Sequence, residues 1–319
     1  MKLYLAPLEG ITSYIYRKAL YQCFDGFDKY FIPFIRAKQN LNFSGREKKD
    51  ISPENNSGMY TVPQILTRNA DDFLRTANQL KEYGYQEVNL NLGCPSKTVV
   101  TKGCGAGFLA RPEELEQFLD RIFSKTDMKI SVKTRLGMEN AEEFPRLMEI
   151  YNRFPMEELI IHPRVQKDFY KNTPNLEAFG EALAISKNPV CYNGDIFSAE
   201  DAIKCLEQTK CDGLMLARGV RGNPWLFAEI KQAIMQHDAG EEIQISKPQL
   251  SEVVEMIRRH GRMQVEYKGE IMGMREMRKH IAWYTTGYPH SAAIRREANF
   301  IETYEQLEKL CDKLLQATI

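Results

Sequence analysis

The sequence predicts an α/β fold, a TIM-type (β/α)8 barrel followed by a small all-helical C-terminal domain. Three observations predict it: eight short apolar runs recur, helix-length segments lie between them, and this alternation stops after Trp225. Strand–helix alternation indicates a parallel sheet, and eight repeats are enough to close a barrel. The 319 residues also leave room for a small extra domain, because such a barrel takes about 250.

The predicted strands are short, apolar and separated by segments long enough for crossover helices. The strands are Leu3–Ala6, Tyr30–Ile35, Val62–Leu66, Val88–Leu92, Ile130–Thr134, Leu159–His162, Val190–Asn193 and Leu214–Ala217. Predicted crossover helices include Asp71–Tyr83, Pro112–Ser124, Ala141–Phe154 and Ala199–Gln208. Later in the chain the pattern predicts only helices, at Gln249–Tyr267, Ile271–Thr285 and Tyr304–Gln316. The polar, glycine-containing segment 238–242 separates the two patterns, so we expect a barrel domain at 1–240 and a helical domain at 241–319.

Composition is that of a folded protein and excludes several classes of site. Hydrophobic residues make up 43% and charged residues 27%, and no segment offers the roughly 18 uninterrupted apolar residues of a membrane span. The seven cysteines contain no CxxC pair or Cys/His cluster, so we expect neither a disulfide framework nor a metal site. The start of the chain lacks the plan of a signal peptide. We expect a cytoplasmic protein that acts as a monomer.

Total charge gives no sign of a nucleic-acid partner. The 43 Lys and Arg residues cancel the 43 Asp and Glu residues, so RNA would have to contact a local basic face. Basic residues do cluster in the C-terminal segment. They are Arg258, Arg259, Arg262, Lys268, Arg275, Arg278, Lys279, Arg295 and Arg296. Because glutamates are interspersed with them, this face is either an RNA-binding surface or an ordinary solvated one.

Polar residues occupy every second position of several predicted strands. Asn89 and Asn91 share one parity and lead directly to Cys94, and Lys133 and Arg135 share a parity in the next strand. One parity faces the barrel interior, where side chains near the carboxyl ends of the strands meet the ligand. Buried polar groups need partners, so the set indicates a polar ligand or, alternatively, an internal hydrogen-bond network.

The last two strands end in segments typical of phosphate sites. Asn193, Gly194 and Asp195 follow the seventh strand, and Arg218 and Gly219 follow the eighth. Barrels commonly hold phosphate in these two loops, where glycine admits backbone N–H groups and arginine supplies charge-assisted hydrogen bonds. The position in the repeat, more than the glycines, favours a phosphate site over an ordinary turn.

The run Asn89-Leu90-Asn91-Leu92-Gly93-Cys94-Pro95-Ser96-Lys97-Thr98-Val99 resembles the catalytic-cysteine motif of the tRNA-dihydrouridine synthases. Further matching blocks are Ala6–Gly10 with Thr12, Pro63–Leu66, Val132–Gly137, Ile161–Arg164, Tyr192–Ile196 and Met215–Gly219. The resemblance covers nearly the whole chain. It implies an FMN-dependent enzyme with an N-terminal β/α barrel and a C-terminal helical domain that binds tRNA.

The resemblance also implies roles for individual residues. The implied flavin contacts are Ala6, Pro7, Gly10, Gln64, Lys133 and His162, and the implied phosphate contacts are Asn193, Gly194, Asp195, Arg218 and Gly219. Asn91 is expected near the flavin and the incoming uracil, below Cys94. Arg135 and Arg164 are expected to contact the substrate, although rim charges would fit equally well. The chain departs from the family pattern at Cys104, an extra cysteine in the loop after Cys94, and at Pro163.

The implied reaction adds a hydride to C6 and a proton to C5 of uracil, with NADPH or NADH reducing the flavin. A free cysteine titrates near ~8.5, so Cys94 is mostly the thiol at neutral pH and can donate the proton. Lys133 would stabilise the anionic reduced flavin. Three alternatives stay open: Cys94 as a small buried hydrophobe, a free-pyrimidine reductase resembling dihydroorotate dehydrogenases, and an RNA-binding protein with a vestigial flavin site.

Overall fold

Eight parallel strands form a closed barrel in the computed structural model, which describes residues 1–24, 26–37, 39, 42–289 and 291–316. The strands are β1 (Lys2–Leu5), β2 (Lys29–Arg36), β3 (Thr61–Leu66), β4 (Glu87–Leu92), β5 (Lys129–Arg135), β6 (Glu158–His162), β7 (Val190–Tyr192) and β8 (Gly213–Leu216). They follow one another around the barrel in chain order, and β8 pairs with β1. The predicted fold class is confirmed.

Helices connect the strands and continue alone after β8. They are α1 (Tyr14–Cys23), α2 (Gly45–Ile51), α3 (Ala70–Glu82), α4 (Lys97–Val100), α5 (Pro112–Lys125), α6 (Phe144–Tyr151), α7 (Leu176–Ile185), α8 (Ala199–Thr209), α9 (Arg218–Gly222), α10 (Leu226–Asp238), α11 (Leu250–Lys268), α12 (Glu270–Tyr284), α13 (Ser291–Ala298) and α14 (Tyr304–Gln316). Short 3-10 turns lie at Glu54–Asn56, Gly105–Phe108, Ala141–Glu143 and Gln166–Asp168. Within the described part of the chain, no helix is both long enough and apolar enough to cross a membrane.

Strand register decides which side chains share the barrel interior. Asn91 of β4 pairs with Lys133 of β5, and Arg135 of β5 pairs with His162 of β6. Paired residues project from the same face of a sheet, so these side chains lie on one face near the carboxyl ends of their strands. The pairing of β2 with β3 is irregular around Pro33, where the register shifts. Proline has no N–H to donate to a neighbouring strand, which accounts for an interruption at this point.

The chain forms two compact units. The first consists of Met1–Tyr14, Phe27–Asp195 and Lys204–Ala217, and the second consists of Ile15–Gly26, Ile196–Ile203 and Arg218–Ile319. All eight strands belong to the first unit, and α1 and α9 to α14 belong to the second. The division into domains at residue 240 stays a prediction.

Two histidines are buried in the core of the second unit. The rings of His260 and His280 lie 4.5 Å apart between centroids, and the Nδ1 atom of His260 is 3.1 Å from the hydroxyl of Tyr284. Burial lowers the pKa of His260 to about 3 and also lowers the pKa of His280. Both rings are therefore neutral at neutral pH and pack as part of an aromatic core.

Candidate active site

Side-chain amides form a continuous chain across the carboxyl half of the barrel interior. The Nδ2 group of Asn91 donates to Gln64 Oε1 at 2.7 Å, and the Nε2 group of Gln64 donates to Asn89 Oδ1 at 2.8 Å. Asn89 then donates to the hydroxyl of Ser131 at 3.0 Å. Each amide fixes the orientation of the next, so the network leaves one Nε2–H of Gln64 for a ligand.

Cys94 lies half-buried on the loop that follows β4. The backbone N–H groups of Gly93 and Cys94 both donate to Asn91 Oδ1, at 3.1 and 2.9 Å, and the carbonyl of Cys94 accepts from Ala106 N at 3.1 Å. Gly105 has a φ of +57°, and a Cβ atom there would lie 2.8 Å from the Cys94 carbonyl oxygen. Only glycine fits against the loop at this position, so the backbone that carries the thiol is held from both sides.

Arg135 links this cysteine loop to the segment that follows β6. Its Nε, Nη1 and Nη2 groups donate to the carbonyls of Gly93, Val165 and Phe169, each at 2.9 Å. The residue is 1% exposed, so the guanidinium is committed to backbone oxygens in the first unit. Arg135 therefore holds two loops of the barrel mouth together.

The segment after β6 carries backbone strain and a second link to the cysteine loop. Phe169 has a φ of 50°, an unusual conformation for a bulky residue and one that clusters at functional sites. Gln166 donates from Nε2 to the carbonyl of Pro95 at 3.0 Å. This segment and the cysteine loop thus form one hydrogen-bonded rim.

Lys133 points into the same region without a protein partner. Among the described residues, no hydrogen bond or ion pair involves its ammonium group. Burial, together with the nearby charge of Arg135, lowers the pKa of Lys133 to about 7. Lys133 is half-buried, and an unpaired ammonium in such a place is costly, so the site favours an electron-rich or anionic ligand group here.

His162 and Asp195 are both held by Arg164, whose side chain is 1% exposed. The Nη1 group of Arg164 lies 3.2 Å from His162 Nε2, and its two Nη groups contact the Asp195 carboxylate at 2.9 and 2.5 Å. Because arginine can only donate, the Nε2 atom of His162 accepts, and the neutral ring carries its proton on Nδ1. Arg164 also neutralises the charge of Asp195.

Comparison with known proteins places this site in a family. The family described as Dihydrouridine synthase (Dus) matches residues 4–319 of the chain. The chain belongs to the dihydrouridine synthase family. This result confirms the family that the cysteine motif predicted, and the match includes the barrel and the helices after it.

Individual relatives agree with the family assignment. A probable tRNA-dihydrouridine synthase of Mycobacterium tuberculosis is 32% identical over 260 residues, which is 79% of this chain and 65% of the relative. The chain therefore spans less than two thirds of that protein. The tRNA-dihydrouridine synthase B of Pasteurella multocida is 28% identical over 314 residues, covering 96% of this chain and 90% of the relative.

A solved structure shares the fold. Histamine dehydrogenase from Rhizobium sp. 4-9 superimposes with a TM-score of 0.55 at 12% sequence identity, covering 82% of this chain and 49% of that chain. At this identity the likeness concerns the barrel fold alone.

Other residues that the family motif singles out have different surroundings. Ala6 is buried in the barrel core, whereas Gly10 is exposed on the loop after β1, beyond Pro7. Asn193 donates from Nδ2 to the carbonyl of Met215 at 2.7 Å. Ligand contacts by these residues stay predictions.

Gly194, Gly219 and Arg218, which belong to the predicted phosphate site, also have local packing contacts within their own units. A Cβ atom at Gly194 would lie 1.9 Å from the hydroxyl of Tyr192, so the close packing of this tyrosine alone requires glycine. In the second unit, Gly219 is buried in α9, and the guanidinium of Arg218 lies 5.4 Å from the ring centroid of Phe197. Phosphate contacts by Gly194, Gly219 and Arg218 stay predictions.

Sequence reasoning missed Tyr170, which lies at the rim of the barrel mouth. Its ring stacks on His162 with 6.2 Å between centroids, and the Arg135 guanidinium lies 5.5 Å from its centroid. The residue is 49% exposed, so one side of an aromatic ring faces solvent above the site. An adjacent aromatic pair, Phe169 and Tyr170, in an otherwise polar loop after a strand was the available signal.

Proposed function

We propose that the protein reduces the C5–C6 bond of uridines in tRNA, with FMN as cofactor, NADPH or NADH as reductant, and Cys94 as general acid. The observation that carries this proposal is the unpartnered ammonium of Lys133 beside the tethered Cys94 loop, at the carboxyl end of the barrel strands. Family membership supports the same reaction.

The interior of the barrel mouth fits the polar edge of a flavin. Lys133 offers a cation without a protein partner, and Gln64 offers one N–H group that the amide network leaves over. His162 and Ala6 would contact the same flavin. When bound and reduced, FMN would supply the hydride that reaches C6 of uracil. Lys133 would stabilise negative charge at the flavin edge through its buried ammonium.

Cys94 is suited to donate the proton that C5 requires. Burial raises the pKa of its thiol, although the nearby backbone of Ser96 and the charge of Arg135 oppose the shift. The group is therefore protonated at neutral pH, as a general acid must be. Asn91 accepts from the backbone N–H groups of Gly93 and Cys94, which fixes the loop that carries the thiol, and it would lie near the flavin and the incoming uracil.

We assign the FMN phosphate to Asn193, Gly194, Asp195, Arg218 and Gly219, with Pro7 and Gly10 lining the flavin pocket. A carboxylate would ordinarily repel a phosphate. Asp195 is compatible with one because Arg164 already neutralises it. Phosphate would then meet amide and guanidinium donors at the loops where barrels commonly bind it.

The helical segment 241–319 is proposed to dock the tRNA, while Arg135 and Arg164 shape the mouth that receives the extruded base. Of the basic residues in this segment, the ion-paired ones are Arg258, Arg259, Lys268, Arg275, Arg278, Lys279, Lys309 and Lys313. Within the described residues, those without an ion pair are Lys247, Arg262, Arg295 and Arg296. These residues therefore have the most charge to offer a phosphate backbone.

Single-turnover oxidation of the NADPH-reduced enzyme by unmodified tRNA, without oxygen, tests the proposal. Cys94→Ala should still accept hydride from NADPH, but its re-oxidation by tRNA should slow by about 10²–10⁴-fold, the usual loss with a general acid. The matched control is Cys104→Ala, which removes a half-buried thiol from the same loop and should re-oxidise normally.

Four results would contradict the proposal. Re-oxidation of Cys94→Ala at the wild-type rate, or failure of Cys104→Ala alone, would assign the proton to another group. Turnover of free uracil or orotate in place of tRNA would identify a small-molecule reductase. A protein that binds tRNA but takes up no FMN would be an RNA-binding protein.

A further inference from the structure

A cavity of about 290 Å³ lies within the second unit, among residues with no role in the proposed reaction. Its aromatic lining residues are Phe197, Trp225, Tyr284 and Tyr288. The hydroxyl of Tyr288 donates to the carbonyl of Pro248 at 2.8 Å, and that of Tyr284 lies 3.1 Å from His260 Nδ1. Both hydroxyls are committed elsewhere, so these tyrosines offer the cavity their rings.

The wall of this cavity also carries an unneutralised carboxylate. Glu229 of α10 is half-buried, and its Oε2 atom accepts from Asn223 Nδ2 at 2.7 Å. Its Oε1 atom has no hydrogen-bond partner among the described residues, and neither Glu229 nor the neighbouring Glu200 forms an ion pair there. Burial raises the pKa of Glu229 and the charge of Glu200 adds to this, whereas the hydrogen bond from Asn223 and the charge of Lys247 oppose the shift. A bound cation would relieve both effects.

The same wall is unsuited to an anion. The start of α8 lines the cavity, and its N-terminus already has a carboxylate: Ser198 N donates to Asp201 Oδ2 at 3.1 Å, and Asp201 N donates to Ser198 Oγ at 3.1 Å. Lys247 is the cation of the lining, and its side chain is exposed. Two carboxylates therefore face one solvated ammonium, which favours a positively charged occupant.

We propose that this cavity binds a small aliphatic ammonium compound, such as a diamine, through Glu229 and the surrounding aromatic rings. The ammonium would donate to Glu229 Oε1, and the ring faces of Trp225 and Phe197 would attract the charge and cover the alkyl stem. The volume, near the lower limit for small-molecule sites, suits a ligand of this size. This inference is independent of the proposed redox reaction.

Calorimetric titration of the full chain with 1,4-diaminobutane tests the proposal, with 1,4-butanediol as the neutral probe of equal length. The diamine should bind saturably and the diol should not. Glu229→Gln keeps the shape but removes the charge, so it should weaken diamine binding by about tenfold to a hundredfold. Glu266→Gln changes an exposed glutamate of the same unit outside the cavity lining and should leave the affinity unchanged.

Tryptophan fluorescence tests whether the diamine binds in this cavity. The chain has two tryptophans, so Trp283→Phe leaves Trp225 as the single emitter, and its emission should change with the same diamine affinity. If Glu229→Gln fails to fold, Phe197→Leu keeps the test, with a loss of about two- to fivefold. Equal binding of the diol, an unchanged Glu229→Gln affinity, or competition by inorganic phosphate would overturn the proposal.

Discussion

The two ends of the barrel treat buried charge in opposite ways. At the amino ends of the strands, Lys29 contacts Glu87 at 2.8 Å, and the hydroxyl of Tyr4 donates to Glu158 at 2.8 Å. At the carboxyl ends, the ammonium of Lys133 has no partner among the described residues. At the amino end each of these charged side chains has a polar partner in the protein, whereas at the carboxyl end one ammonium has none among the described residues.

The presence or absence of a protein partner separates charged residues that stabilise the fold from charged residues suited to bind a ligand. A buried ion pair leaves an uncompensated charge when one partner is removed, so its members contribute to folding. An unpaired ammonium costs folding free energy and is useful only when something binds to it. Burial alone would not distinguish Lys29 from Lys133, whereas the presence or absence of a partner does.

The largest expected effect is at the amino end. Lys29→Met strands the buried carboxylates of Glu87 and Glu158, so the free energy of unfolding should fall by roughly 3–5 kcal/mol in urea titrations. The matched control is Lys81→Met, which breaks an exposed ion pair with Asp127 and should have little effect on the free energy of unfolding, because solvent screens the two charges. A Lys29→Met loss no larger than that of the control would remove the distinction between the two ends.

Lys133→Met should have an effect of intermediate size, and it should lower FMN affinity rather than the stability of the fold. Without FMN the variant should unfold no more easily than the wild type, because it loses an unpaired buried charge. Its FMN affinity, measured by fluorescence titration, should fall by about 1.5–3 kcal/mol, the value of a hydrogen bond to a charged group. Lower stability with unchanged FMN affinity would assign Lys133 to the fold.

The smallest effect concerns pH. The pKa of Lys133 is lowered to about 7 in the folded protein, below its ordinary value of 10.5, with Arg135, Cys94 and Cys191 as the titratable groups nearby. Between these two values the unfolded chain binds a proton that the folded chain does not. The free energy of unfolding of FMN-free protein should therefore rise with pH between about 7 and 10.5. Below about pH 7 both states hold the proton, so this pH dependence ends and the destabilisation by Lys133 is at its largest.

Wild type and Lys133→Met can be compared by urea unfolding in FMN-free form. Between about pH 8 and pH 9 the wild-type value should increase relative to the variant by up to about 1.4 kcal/mol. A difference that stays constant, or that decreases with pH, would show that Lys133 is not held with a lowered pKa.

The barrel and its polar interior were predictable because both depend on local patterns. Eight apolar runs gave the strands, and parity placed Asn91, Lys133 and Arg135 on the inner face, as the register shows. The partners of Arg135 and Arg164 were not predictable. Their contacts join loops from different repeats, and the acceptors of Arg135 are backbone carbonyls, which leave no mark in the sequence.

The contrast between Lys29 and Lys133 was also not predictable from the sequence, because it depends on contacts between distant residues. Lys29 pairs with Glu87, 58 positions away, at the foot of a different strand, and no spacing rule connects the two. The roles of the predicted site residues stay predictions for a similar reason, because contacts with a flavin or a uracil depend on positions that only a bound ligand occupies.

Within the described part of the chain, the acceptors of the Arg135 guanidinium are all backbone oxygens, and this affects which substitutions the protein can accept during evolution. Every residue type presents a carbonyl, so Val165 and Phe169 can be replaced, within the limits of their own packing and backbone angles, without removing an acceptor from the guanidinium. Arginine itself has no substitute with three donors in one plane. The bonds from Arg135 can thus persist while the loop residues change, whereas a substitution of Arg135 itself removes all three and leaves the bond from Gln166 to the Pro95 carbonyl.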